Sequence, residues 1–255
     1  MFVIGVLHIG DDTSAADNCS EGARHPPSPW GDNVFFTFTS KNRLSFLNPL
    51  AEQYASRFSS PEDPLLAELH QHTLAHHSEP HMLSGSIQAT FLQWICEWIR
   101  PSFVLEIGTM VGYSTIALAR GLPPGAQLHT IEKRKEDILI AQTYFQKAGL
   151  SDRIQIHEGE ALQILPTLSY PWDLVFLDAD KTGYLDYYEY LIPQMRPGAL
   201  LIADNVLFHG AVLEEPVKGK NAKALHAFNE RVAQDDRVEK IMLTVRDGLF
   251  LIRKK

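Results

Sequence analysis

Two apolar runs in this chain end in hard oxygen donors: Phe176-Leu177-Asp178-Ala179-Asp180-Lys181 and Ile202-Ala203-Asp204-Asn205. Neighbouring strands lie roughly 5 Å apart. If these are neighbouring strand ends, Asp178, Asp204 and Asn205 could converge on one divalent cation. An all-oxygen set favours Mg²⁺, with Mn²⁺ or Ca²⁺ acceptable, over zinc. A cation held there lowers the pKa of a hydroxyl bound to it and positions that oxygen. Lys181, three residues past Asp178, is near enough to act as general base if its own pKa is depressed. The bland alternative stays open, because polar residues at strand ends also serve as turn formers and helix caps. Asp180 can equally touch a ligand or cap the next helix.

A second constellation lies earlier, at Glu106-Ile107-Gly108-Thr109-Met110-Val111-Gly112-Tyr113-Ser114. Glycines at a strand-to-helix turn admit close backbone approach, and the helix start offers free N–H groups. The glycines stand four apart and follow an acid, unlike the G-x-G-x-x-G that seats a pyrophosphate. That pattern suits a cationic, phosphate-free ligand: Glu106 could attract an ammonium and Ser114 could bond a carboxylate. Glu132 ends the next strand, where an acid can accept hydrogen bonds from both hydroxyls of a ribose.

The elements that must position these residues are legible from periodicity. Helices are expected over 44–58, from Pro61 through Leu74, and over 86–99, ending before Pro101. Apolar strands over 103–107, 127–131, 154–157, 174–177 and 199–203 then alternate with helices over 113–120, 135–148, 161–165 and 184–195. That alternation means a parallel sheet covered on both faces. After a helix over 222–233, strands over 238–245 and 249–252 flank Arg246-Asp247-Gly248 as a hairpin. The expected fold is therefore α/β, a seven-stranded mostly parallel sheet with a C-terminal antiparallel hairpin and N-terminal helices.

The chain has 255 residues, 45% of them hydrophobic, and a formal charge of −8, so one sizeable core is available and nothing favours a nucleic-acid partner. Residues 1–43 read as a disordered extension, and 44–255 as the domain. Met1 to Gly10 is apolar but short and without a basic flank, so no secretory signal is expected, and no run is long enough to span a membrane. Cys19 and Cys96 lie in unlike surroundings and read as free thiols, which points to the cytoplasm. The histidines His70, His72, His76, His77 and His81 lack a Cys or carboxylate at ligand spacing for zinc. Tyr184, Tyr187, Tyr188 and Tyr190 read as helix packing.

Several motifs, taken in order, make residues 44–254 resemble the cation-dependent O-methyltransferases that include caffeoyl-coenzyme A and catechol O-methyltransferases. These are Leu105-Glu106-Ile107-Gly108 with Gly112-Tyr113-Ser114, Glu158-Gly159-Glu160-Ala161, Leu177-Asp178-Ala179-Asp180-Lys181 with Tyr184, and Asp204-Asn205, while Asp247-Gly248 matches that family's late hairpin. The resemblance implies a Rossmann-like fold that binds S-adenosylmethionine (SAM) and moves its methyl group to a hydroxyl of a small catechol-like, vicinal dihydroxy acceptor. It implies metal ligation by Asp178, Asp204 and Asn205, with Lys181 and Asp178 as the catalytic pair. Cofactor contacts would come from Met82, Ser84, Glu106, Gly108, Thr109, Ser114, Glu132, Ala161, Asp178 and Asp180, and the protein would be a homodimer. Gln88-Ala89-Thr90 departs from the family's Gln-Gly-Gln run, and His209 stands where plant caffeoyl-coenzyme A enzymes carry a substrate-contacting Asn. Two alternatives follow: a tRNA hydroxyuridine methyltransferase of the same family, and a nicotinamide-dependent dehydrogenase, which shares the acid at Glu132.

Overall fold

A computed structural model describes residues 49–255, with side chains from Gln53 onward. Three helices come first: α1 (Pro49–Arg57), α2 (Pro64–His76) and α3 (Ser86–Ile99). The expected start of α1 at Leu44 lies outside the described residues. Helix α2 begins three residues later than Pro61, because the Asp63 carboxylate caps it by accepting the N–H groups of Leu65 and Leu66 at 2.9 and 3.1 Å. Pro64, whose missing N–H would be unpaired there anyway, takes the first helical position.

The regular alternation follows: β1 (Phe103–Ile107), α4 (Tyr113–Gly121), β2 (Gln127–Glu132), α5 (Lys135–Lys147), β3 (Ile154–Glu158), α6 (Ala161–Ile164), β4 (Leu174–Leu177), α7 (Tyr184–Leu191) and β5 (Leu200–Asp204). Helix α8 (Lys220–Ala233) leads into β6 (Val238–Leu243) and β7 (Leu249–Lys254). The seven strands form one sheet in the order β3-β2-β1-β4-β5-β7-β6. Five are parallel, and β7 runs antiparallel to both β5 and β6. The fold class expected from the sequence is borne out. Strand β6 stops two residues short of Val245, because the Val245 carbonyl accepts the Gly248 N–H in the turn and Arg246 takes a left-handed φ of 49°.

Strand alternation sends side chains to two cores. Leu105, Ile107, Val175 and Leu177 pack with α7 and α8 residues such as Tyr188 and Phe228 on one face. Val104, Leu128, Leu174 and Phe176 pack with Leu69, Leu92 and Ile116 of α2 to α4 on the other. Each fully buried leucine contributes roughly 1.5–3 kcal/mol of transfer free energy, which fixes the register of every strand. The chain leaves β1 toward β2 on one side and returns to β4 on the other. Crevices form at such a switch point, beyond the carboxyl ends of the strands. Among the described residues no helix is long and apolar enough to cross a membrane.

Candidate active site

The turn after β1 meets the end of β4 at Gly108. Its φ is +103°, and a Cβ placed there would fall 2.0 Å from the Asp178 carbonyl oxygen. Only glycine lets the two loops touch. Glu106 points the other way. It is fully buried and its carboxylate accepts hydrogen bonds from Ser114 (2.7 Å), Thr130 (2.6 Å) and Thr115. It thus ties β1, β2 and the first turn of α4 together from beneath the turn instead of facing the cavity, and Ser114 spends its hydroxyl proton on Glu106. Burial pushes the Glu106 carboxyl up to about 7, against the pull of these three hydroxyls.

Glu132 reaches the cavity but is already engaged. Its Oε2 accepts the Met110 N–H at 2.7 Å, and its Oε1 accepts those of Lys133 and Arg134 at 2.8 and 3.0 Å. The carboxylate therefore fixes the glycine turn against the start of α5 at the wall of the crevice. Thr109 is buried and shares a hydrogen bond with Thr130. Met82, Ser84, Gly108, Ala161 and Asp180 all line the same cavity, of about 730 Å³. Met82 is half exposed at its rim, and Ala161 opens α6. Asp180 accepts the Thr182 hydroxyl in the turn ahead of α7.

The acidic strand ends do converge. Lys181 Nζ donates to Asp178 Oδ1 (2.9 Å), Asn205 Oδ1 (3.1 Å) and the Tyr184 hydroxyl (2.6 Å). Asn205 holds a left-handed φ of 57° that accompanies this arrangement. Asp204 is buried beside them; its Oδ1 accepts the Asn205 N–H at 2.8 Å and its Oδ2 the Gln88 amide at 2.7 Å. Burial and the nearby Asp178 carboxylate push the Asp204 carboxyl up to about 6, opposed by Lys181 and Gln88. Burial works against the Lys181 charge, but Asp178, Tyr184 and Asp204 outweigh it and hold the ammonium well above the ordinary lysine range. Asp178 and Asn205 thus turn side-chain oxygens toward one positive charge, that of Lys181, and with Asp204 they are the hard-donor residues that could hold a cation.

Residues 56–255 match the O-methyltransferase family. The chain belongs to that family. It is 35% identical over 186 residues to a catechol O-methyltransferase of Niastella koreensis, covering 71% of this chain and 83% of the relative. It is 33% identical over 184 residues to caffeoyl-CoA O-methyltransferase 1 of Eucalyptus globulus, covering 68% and 75%. Among solved structures, an O-methyltransferase from Bacillus cereus in complex with SAH superposes with a TM-score of 0.75 at 32% identity, over 81% of this chain and 97% of that one. TomG of Streptomyces achromogenes, in complex with SAM, gives 0.74 at 31%, over 81% and 96%. The enzyme class expected from the sequence is borne out, and the dehydrogenase alternative falls.

Three further side chains complete this O-methyltransferase site. Tyr184, expected to pack its helix as Tyr187 and Tyr188 do, is equally buried, yet its hydroxyl also lies 3.1 Å from Leu177 O and 3.0 Å from Asp204 O, pinning the ends of β4 and β5. Its place three residues after Lys181, one helical turn on, was the available signal. Gln88 opens the run aligned with the family's Gln-Gly-Gln, whereas nothing marks Arg246, whose contact with it spans 158 residues. Thr90 bonds the Ser86 carbonyl of its own helix at 2.9 Å, away from the site. His209 stands exposed at the cavity mouth with its N–H on Asp247 Oδ1 at 2.6 Å. Of the other histidines, His77 bonds Asp137 at 3.0 Å and His76 the carbonyl of His72 at 2.9 Å.

Proposed function

We propose that this chain transfers the methyl group of SAM to one oxygen of a small vicinal diol of the catechol type, with a divalent cation, Mg²⁺ foremost, held by Asp178, Asp204 and Asn205. The observation that carries the reading is the grip of Asp178 and Asn205 on the Lys181 ammonium, with buried Asp204 beside them and one backbone contact from the Gly108 turn. The donor set fits: two carboxylates and an amide oxygen, one carboxylate destabilised by the other, as a dication would relieve. A bound cation supplies Lewis acidity that favours the ionised form of an acceptor hydroxyl and fixes its direction.

The residues of the chain do the rest. Glu132 presents lone pairs for the ribose hydroxyls of SAM, and Met82, Ser84 and Ala161 wall its path. The Gly108 turn meets the β4 end, so a donor held along it would lie beside the acidic strand end where the acceptor would be held. The acceptor oxygen attacks the methyl carbon, the carbon–sulfur bond breaks with its electron pair going to sulfur, and neutral S-adenosylhomocysteine leaves. Lys181 would take the hydroxyl proton only as the neutral amine, after its own proton has passed to solvent; its raised pKa reverses the depression expected from the sequence, and Tyr184 keeps the side chain in place. A cytoplasmic address and a homodimer belong to the same proposal. Buried, unpaired Cys96 supports the first, and half-exposed Trp94 and Trp98 on α3 offer surface for the second.

The test is transfer of labelled methyl from SAM to catechols, caffeoyl-type esters and bulk tRNA, each with Mg²⁺ and with chelator. Metal-dependent labelling of a diol is expected. Chelator-insensitive transfer removes the cation from the reading, and labelling of tRNA alone replaces the acceptor.

A further inference from the structure

Arg246 is the long side chain of the β6–β7 turn, held at a left-handed φ of 49° that a non-glycine residue rarely adopts. From there it reaches across the crevice to α3. One nitrogen, Nη1, donates both to the Ser84 carbonyl at 2.9 Å and to Gln88 Oε1 at 3.1 Å. Gln88 is buried, and its other end, Nε2, donates to Asp204 Oδ2 at 2.7 Å. Gly85 lies under the guanidinium, where an added Cβ would stand 3.4 Å from Nη1.

We propose that Gln88 and Arg246 are positioning residues acting in series: Arg246 sets the Gln88 amide, Gln88 sets the Asp204 carboxylate for the cation, and Arg246 ties that arrangement to the cofactor rim at Ser84. The inference rests on the cation reading above.

An amide can present either end to a neighbour, but a guanidinium only donates, so Arg246 must face Oε1. Nε2 is then obliged to face Asp204. With Oδ2 taken by Gln88 and Oδ1 by the Asn205 N–H at 2.8 Å, the carboxylate plane is fixed at both oxygens, and the remaining lone pairs point in set directions. Partners of this kind, which orient a metal ligand without touching the metal, are worth about 10- to 100-fold in affinity. The Ser84 bond is separate: the same guanidinium holds the carbonyl of a residue that lines the cofactor cavity.

The series arrangement predicts a split that a merely structural role would not produce. In Gln88→Leu, Mn²⁺ affinity, read by electron paramagnetic resonance with S-adenosylhomocysteine (SAH) present, should fall about 10- to 100-fold. Affinity for SAH in chelator should stay within about threefold, since the Ser84 bond survives. Arg246→Gly, which suits the left-handed backbone, should lose Mn²⁺ affinity as well and also weaken SAH about fivefold, the worth of one hydrogen bond. The double variant should bind Mn²⁺ no more weakly than Gln88→Leu alone. Wild-type protein that takes up no Mn²⁺ overturns the cation reading itself. Wild type that binds Mn²⁺ while Gln88→Leu matches it within threefold overturns the positioning role and leaves the cation in place. Additive losses in the double variant overturn the series. Thermal melts accompany each variant, and Arg246→Gly carries the test should Gln88→Leu fail to fold.

Discussion

Replacing Gly108 with alanine should disable the site more than it destabilises the fold. The new methyl would fall 2.0 Å from the Asp178 carbonyl oxygen, where real contacts need at least about 3.0 Å, so the β4 end must retreat by about 1 Å. Asp178 and Lys181 ride on that segment. A displacement of about 1 Å in a reacting group costs on the order of 100-fold in rate, so kcat/KM for methyl transfer should drop by about that factor. Stability should fall by roughly 2–5 kcal/mol, combining overpacking with the strain of φ +103° on a residue bearing a Cβ. At roughly 2–4 °C per kcal/mol the melting point drops by about 4–20 °C. Gly125→Ala is the control, because Gly125 shares a left-handed φ of +80° but has nothing within 4 Å of its would-be Cβ. It should cost about 1 kcal/mol and leave kcat/KM unchanged. Rates are compared well below both melting points, beside calorimetric titration with SAH. Gly108→Ala with kcat/KM within threefold of Gly125→Ala would refute the claim that this contact aligns cofactor turn and acidic strand end.

Three further outcomes are expected. Lys181→Met should lower kcat by about 10²- to 10⁴-fold while leaving SAH affinity within threefold; equal losses in both would make Lys181 a binding residue. Tyr184→Phe removes the hydroxyl that engages Lys181 and the ends of β4 and β5, and should cost roughly 1–3 kcal/mol in urea unfolding as well as activity. The third concerns His129, fully buried on β2, whose Nδ1 lies 3.0 Å from His157 Nε2 and whose Nε2 has no partner among the described residues. Burial, aided by His157, presses its pKa down to about 4, below the ordinary 6.5. The unfolded chain therefore takes up this proton first, so the stability is fully present above pH 6.5 and is lost as pH falls toward 4. The slope approaches 1.4 kcal/mol per pH unit, about 3 kcal/mol in all. Unfolding free energies of wild type minus His129→Phe, measured from pH 7 to 4.5, should show that slope; a flat difference would mean His129 titrates normally.

How far the sequence could be read differed with the distance over which residues act. Strand ends are legible because apolar runs such as Leu174-Val175-Phe176-Leu177 stop at polar residues, and the Gly108 turn because glycine and acid types there are few. The convergence of Asp178 with Asp204 and Asn205 followed from adjacency of β4 and β5. Glu106, expected to face an ammonium, lies elsewhere in the structure: strand parity sets it opposite Leu105 and Ile107, on the Val104 face under α4, where Ser114 and Thr115 meet it. That parity was present in the sequence, but which face would open to the crevice depends on where α4 packs. The pairing of Gln88 with Arg246 was beyond reach for another reason: nothing local marks two residues 158 apart as partners.

The sheet order carries a consequence for how activity arises during synthesis. The proposed cofactor contacts from Met82 to Ala161 are all translated before Asp178 and Asp180, which complete the set, and β1 pairs with β4 across about 70 residues. A nascent chain emerged only through β3 carries Glu106 and Glu132 but has no second wall to the crevice. Pairing of β1 with β4 is a slow, non-local event that must precede any reactive geometry. Donor binding and methyl transfer are thus separated in the order of folding, so an unfinished or half-unfolded molecule can at most hold the methyl donor, without the groups that would spend it.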